Sequence, residues 1–87
     1  MALSSSRPPV PPLHRYANRS GHSGVAAYAA RGDGILVEFS DGKLYFYSLA
    51  VPGRHHVERM KALAEAGAGL SSYISRQVGR RFAARVR

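Results

Sequence analysis

The run from residue 35 to residue 52, Ile-Leu-Val-Glu-Phe-Ser-Asp-Gly-Lys-Leu-Tyr-Phe-Tyr-Ser-Leu-Ala-Val-Pro, constrains this chain more than any other part of it. Two stretches rich in β-prone residues flank Asp41-Gly42. Glycine reaches φ > 0 without a Cβ clash, so the dipeptide suits a tight hairpin turn. The pattern predicts strands over about 35–40 and 43–49. Gly32-Asp33-Gly34 is a second turn signal just upstream. Residues 24–31, Gly-Val-Ala-Ala-Tyr-Ala-Ala-Arg, suit helix or strand by composition, and the adjoining turn selects strand. A three-stranded antiparallel β-meander results. Pro52 ends it and holds Val51 extended.

A two-residue turn at Asp41-Gly42 sets Phe39 opposite Leu44, Val37 opposite Phe46 and Leu36 opposite Tyr47. Facing residues share a side of a sheet. The expected core face is then Val37, Phe39, Leu44 and Phe46. The other face carries Leu36, Glu38, Tyr45 and Tyr47. A bulged three-residue turn would shift this parity.

Residues 54–66 read as a helix, with good formers at Ala62–Ala66 and an apolar stripe of Val57, Met60 and Ala64 beside Leu63. Gly67 and Gly69 stop it. A second helix over about 72–87 can be capped by Ser71 or Ser72. Ile74, Val78, Phe82 and Val86 recur every four residues as its docking stripe. Arg76 and Arg80 then lie one turn apart, as do Arg81 and Arg85. The expected fold class is α+β: a three-stranded meander followed by two α-helices packed on one face.

Residues 1–20 read as a disordered tail, with Ser4-Ser5-Ser6 and the Pro8–Pro12 cluster favouring polyproline II. Residues 21–87 make the domain. Absent cysteine excludes disulfides and thiolate metal sites. No apolar run approaches the roughly 20 residues of a membrane span, and no apolar h-region follows Arg7. A cytoplasmic location is expected.

The net charge is +8, and residues 71–87 hold five arginines and no acid. A basic end on a near-neutral body implies a polyanionic partner, nucleic acid above all. The competing interpretation is a solvated helix face.

The central pattern resembles the KTSC domain, a small module named for the C-terminus of some lysyl-tRNA synthetases and also found as stand-alone bacterial proteins. Ile35, Val37 and Phe39 match its strand, Gly42 its turn, Tyr45 and Tyr47 its Tyr-x-Tyr, and Val51-Pro52 its Val-Pro close. Ser23 and Val25 resemble its opening, and Gly69, Tyr73, Val78 and Phe82 its second half. The resemblance spans about 23–82. It departs at Ala66-Gly67-Ala68-Gly69-Leu70, which lacks the family's serine, at Phe82 in place of tyrosine, and in a longer Pro52–Tyr73 stretch. The biochemical role of the family is unsettled, and its association with a synthetase suggests RNA.

Tyr45 and Tyr47 are the candidates for stacking on unpaired bases; the alternative is that they pack beneath a helix. Arg76, Arg80, Arg81 and Arg85 are the candidates for phosphate contacts. A second functional class is a protein-interaction domain, or self-association, through a Leu36/Tyr45/Tyr47 face. A membrane-surface helix at 72–87 is disfavoured because the core needs its apolar stripe. His55 and His56 are adjacent and diverge on a helix, and no His-x-x-x-His pair exists, so no metal or other cofactor is expected. No nucleophile–base constellation can be placed, and the expectation is a binding module rather than an enzyme.

Overall fold

A computed structural model of the protein describes residues 12–19, 21 and 24–87. Five strands form one antiparallel sheet in the order β1-β2-β3-β4-β5: β1 (His14–Arg15), β2 (Val25–Arg31), β3 (Gly34–Phe39), β4 (Leu44–Ser48) and β5 (Ala84–Arg85). Helix α1 (Arg54–Ala66) follows β4, and α2 (Leu70–Tyr73) runs directly into a π-helical turn, Ile74–Val78. The fold is α+β, but with five strands rather than three. The expected meander is the centre, and a two-residue strand flanks each side.

The hairpin between β3 and β4 uses the bulged turn. Gly42 N–H donates to Phe39 C=O (2.9 Å) and Phe39 N–H to Lys43 C=O (2.8 Å), with Gly42 at φ 89°. Three residues, Ser40-Asp41-Gly42, therefore make the loop, and glycine supplies the left-handed position. Asp41 Oδ1 also accepts from Lys43 N–H at 3.0 Å. The register becomes Ile35 opposite Tyr47, Leu36 opposite Phe46, Val37 opposite Tyr45 and Glu38 opposite Leu44. This corrects the two-residue register by one position, which exchanges the faces of β4. Ile35, Val37, Tyr45 and Tyr47 share one side; Leu36, Glu38, Leu44 and Phe46 share the other. A second bulge, between Val25 and Ala27, returns Val25 to the side of Tyr47, opposite Phe39.

Both helices cover that first side. Ile35, Val37, Tyr47, Val57, Met60, Leu70 and Val78 are at most 2% exposed and join one cluster with Tyr16, Val25, Ala64 and Ile74. The reverse side carries a smaller cluster of Ala29, Leu36 and Leu44, with Leu13 and Phe46 against it. Gly34 leaves no room for a side chain at the start of β3. A Cβ there would collide with the Tyr47 carbonyl and come within 2.9 Å of the Phe46 ring.

The second helix ends well short of residue 87. Gly79 takes φ 61°, and its N–H closes the π turn on Ile74 C=O at 2.6 Å. The chain then runs back along the open edge of β4. Ala83 N–H donates to Phe46 C=O (2.8 Å), Val86 N–H to Leu44 C=O (2.7 Å) and Leu44 N–H to Arg87 C=O (3.1 Å). These bonds satisfy edge groups that a continued helix would leave bare. Of the expected helical stripe, Ile74 and Val78 are buried, Phe82 packs on the core from a loop, and Val86 is 40% exposed.

The expected tail of residues 1–20 lies outside the described residues from 1 to 11, and its later part joins the body. His14 and Arg15 pair with Tyr28 and Ala27. Tyr16 is 3% exposed, its hydroxyl accepting from Leu70 N–H at 3.3 Å. Arg19 closes the C-terminal end of α1, with its backbone N–H on Gly67 C=O (2.7 Å) and its Nε–H on Ala66 C=O (2.9 Å). A cation at a helix C-terminus meets the negative end of the helix dipole. Composition marks the proline cluster but not this strap, because a single tyrosine carries it into the core.

Candidate nucleic-acid interface

Tyr45 and Tyr47 reach the helical side through the bulged turn, and this removes the proposed stacking pair. Tyr47 is 2% exposed, and burial, reinforced by the neighbouring Tyr45, pushes its phenol up to about 12. Tyr45 is half-buried, with its ring 4.5 Å from Phe82 and edge-on to Phe39 at 5.7 Å. The Tyr-x-Tyr motif is thus part of an aromatic core. Leu36 points to the opposite side of the sheet and is 4% exposed. The half-apolar Leu36/Tyr45/Tyr47 face does not form.

The four candidate arginines are all exposed, on elements other than the single helix expected of them. Arg76 stands on the π turn and Arg80 follows Gly79. Arg81 folds back, donating from Nε to Val78 C=O (3.2 Å) and from Nη2 to Gln77 C=O. It caps helix-end carbonyls, which a cation does favourably. Arg85 lies on β5 opposite Tyr45, hence on the helical side, with its Nε on Arg87 C=O at 3.3 Å. Thus the one-turn spacing of Arg81 and Arg85 is lost: Arg81 is tied to the end of the π turn and Arg85 stands on β5.

The carboxylates lie mostly elsewhere. Asp33 pairs with Arg31 (3.2 Å), Asp41 with Lys43 (3.7 Å), Glu38 with Arg87 (2.5 Å) and Glu58 with Lys61 (3.9 Å). That occupies four of the five acids in the chain. Among the described residues no carboxylate pairs with Arg54, Arg59, Arg76, Arg80, Arg81 or Arg85. Arg59 and Arg76 line one open cavity of about 240 Å³ between α1 and α2, together with Ser72, Tyr73, Gln77 and Leu63. Arg59 escaped the sequence reading. Its only signal is its place off the Val57/Met60/Ala64 stripe, and its approach to Arg76 is tertiary.

His55 and His56, expected to diverge as neighbours on a helix, instead have rings that meet edge-on with centroids 5.6 Å apart. His55 is exposed, while His56 Nδ1 and the Tyr73 hydroxyl are 2.7 Å apart, in a hydrogen bond whose direction follows the histidine tautomer. No group of three or more potential metal ligands occurs among the described residues. Among the same residues no helix is long and apolar enough to cross a membrane. No family model, curated protein or solved structure matches the chain.

Proposed function

We propose that this protein is a non-catalytic, KTSC-like module that binds single-stranded RNA through its sugar–phosphate backbone. Arg76, Arg80 and Arg85 supply phosphate contacts, and Arg81 adds positive potential while holding the helix end. The observation that carries this reading is the surplus of positive charge on and after the helices, where Arg54, Arg59, Lys61, Arg76, Arg80 and Arg81 outnumber Glu58 and Glu65, while the other three acids are paired around the sheet. Polyanion binding then releases counterions condensed on the nucleic acid, which gives affinity without base readout. Tyr47 takes no part, since its ring is inside. The same reading places the protein in the cytoplasm.

The test is a titration of fluorescently labelled oligouridylate with the full chain, followed by anisotropy at several salt concentrations. The expected result is binding whose log affinity falls with log salt by about 0.7 for each phosphate contacted. Replacing Arg76 and Arg80 together by glutamine flattens that slope and weakens binding. Absence of binding at low salt overturns the proposal.

A further inference from the structure

The cavity between α1 and α2 assembles groups that none of the sequence motifs identifies. Its two cationic side chains, Arg59 and Arg76, come from different helical elements and face one open space. Neither has an ion pair or hydrogen bond among the described residues. The residues one helical turn from Arg59 on α1 are His55, His56, Ala62 and Leu63, and those around Arg76 are Ser72, Tyr73, Gly79 and Arg80. No carboxylate occurs in either set, nor in the lining of the cavity. Two guanidinium groups lining one space without a counter-charge repel each other, and an anion relieves this repulsion.

The other lining groups narrow the class of anion. Ser72 contributes a hydroxyl and Gln77 an amide, both of which donate to oxygen. Leu63 and Tyr73 give an apolar wall, and the bond between Tyr73 and His56 holds that ring in place. Donors approaching from two helices suit a tetrahedral group with several oxygens better than a planar carboxylate, which one arginine satisfies in bidentate fashion. The opening and the volume leave room for a substituent on the anion.

We propose that this cavity seats one phosphate group, gripped by Arg59 and Arg76 together, and that the group is a backbone phosphodiester of the bound strand. The identity of the strand rests on the function proposed above; the seat itself rests on the cavity. Arg59 thereby joins Arg76, Arg80 and Arg85 as a phosphate-contacting residue, and shares one seat with Arg76.

The experiment compares the wild type with R59Q and with R54Q, which removes the same charge from the same helix outside the cavity. Arg54 and Arg59 are both exposed, so both variants fold. Oligouridylate affinity is expected to fall about tenfold in R59Q, as for loss of a charge-assisted hydrogen-bonded contact. The salt slope should fall by about 0.7, with a much smaller change in both for R54Q. Equal effects of R59Q and R54Q overturn the seat and leave RNA binding standing. In parallel, inorganic phosphate is titrated against ¹⁵N-labelled protein. Amide shifts at Ser72, Tyr73 and Gln77 that vanish in R59Q support the seat. If these shifts occur while oligouridylate fails to bind the wild type, the seat stands with a phosphorylated ligand of another kind, and the RNA reading falls. If neither probe acts, both fall.

Discussion

The sheet side of the molecule and its helical layer handle charge in opposite ways. Around the sheet, charges close on near neighbours: Asp33 with Arg31, Asp41 with Lys43, and Glu38 with Arg87 across the β4 edge. Arg31 also lies over the Phe46 ring at 5.8 Å. In the helical layer Glu58 meets Lys61, but among the described residues Arg54, Arg59, Arg76 and Arg80 meet no carboxylate. The two sides also divide the packing, with the larger core lying under the helices and a thin cluster on the reverse. The lesson is one of separation. The helices bury apolar groups inward and leave cations outward, so packing and surface charge rest on different atoms of the same elements.

The largest expected effect tests the division of packing. Ile35 and Phe46 stand on opposite sides of the sheet. Ile35→Ala removes a side chain that is fully enclosed under the helices and should cost about 3–4 kcal/mol in urea unfolding. Phe46 is only part-buried, so Phe46→Ala should cost less, about 1–2 kcal/mol by the area its ring removes from water. Equal losses would mean that the reverse side is as much a core as the helical one.

Next comes the contact between β3 and β4 itself. Gly34→Ala places a methyl group against the Tyr47 carbonyl and the Phe46 ring, and backbone must move to admit it. Destabilisation of about 3 kcal/mol is expected from overpacking and lost pairing. A variant that unfolds at the wild-type urea midpoint would refute the close approach.

Alkali probes the buried tyrosine. Tyr47 holds its proton to about pH 12 in the folded state, against 10.0 for the ordinary phenol, because burial disfavours the phenolate. Between these values the unfolded chain has lost a proton that the folded chain keeps, so stability falls as pH rises. The contribution is complete below pH 10 and gone above about 12, with a total of up to about 3 kcal/mol. Tyr47→Phe removes this dependence. A wild-type and a Tyr47→Phe stability curve that run parallel from pH 9 to 12 would show the phenol to be accessible to water.

Much of this architecture was legible in the residues, and the losses have identifiable causes. The three central strands and α1 follow from turn glycines, alternation and the Val57/Met60/Ala64 stripe, all of them local signals. The register slipped because Ser40-Asp41-Gly42 and Asp41-Gly42 are both good loops, and one residue of difference turns over every side chain of β4. That single choice moved Tyr47 into the core and left Tyr45 half-buried against it. The spacing of Ile74, Val78, Phe82 and Val86 imitates a helix past its true end. Gly79 breaks it, and the unpaired edge of β4, which no local window contains, recruits the residues beyond. The cationic end was visible as composition, whereas the meeting of Arg59 with Arg76 depends on how two helices lie together.

The smallest expected effect bears most directly on the separation of charge. Arg87 and Glu38 are in contact at 2.5 Å but only part-buried, so their pairing energy, from a double-mutant cycle with Arg87→Gln and Glu38→Gln, should be about 0.5 kcal/mol and should shrink with salt. Arg76→Gln should behave in the opposite sense at low salt. It removes a cation that has no carboxylate partner among the described residues, so stability should rise slightly, by less than about 0.5 kcal/mol. Added salt should erase that gain, since it screens the repulsion that the substitution relieves. Two arginines of similar exposure would then shift stability with opposite signs. Destabilisation by Arg76→Gln as large as that by Arg87→Gln would mean that the helical layer holds a counter-charge for Arg76, and the case for an open anion site there would lose its electrostatic basis.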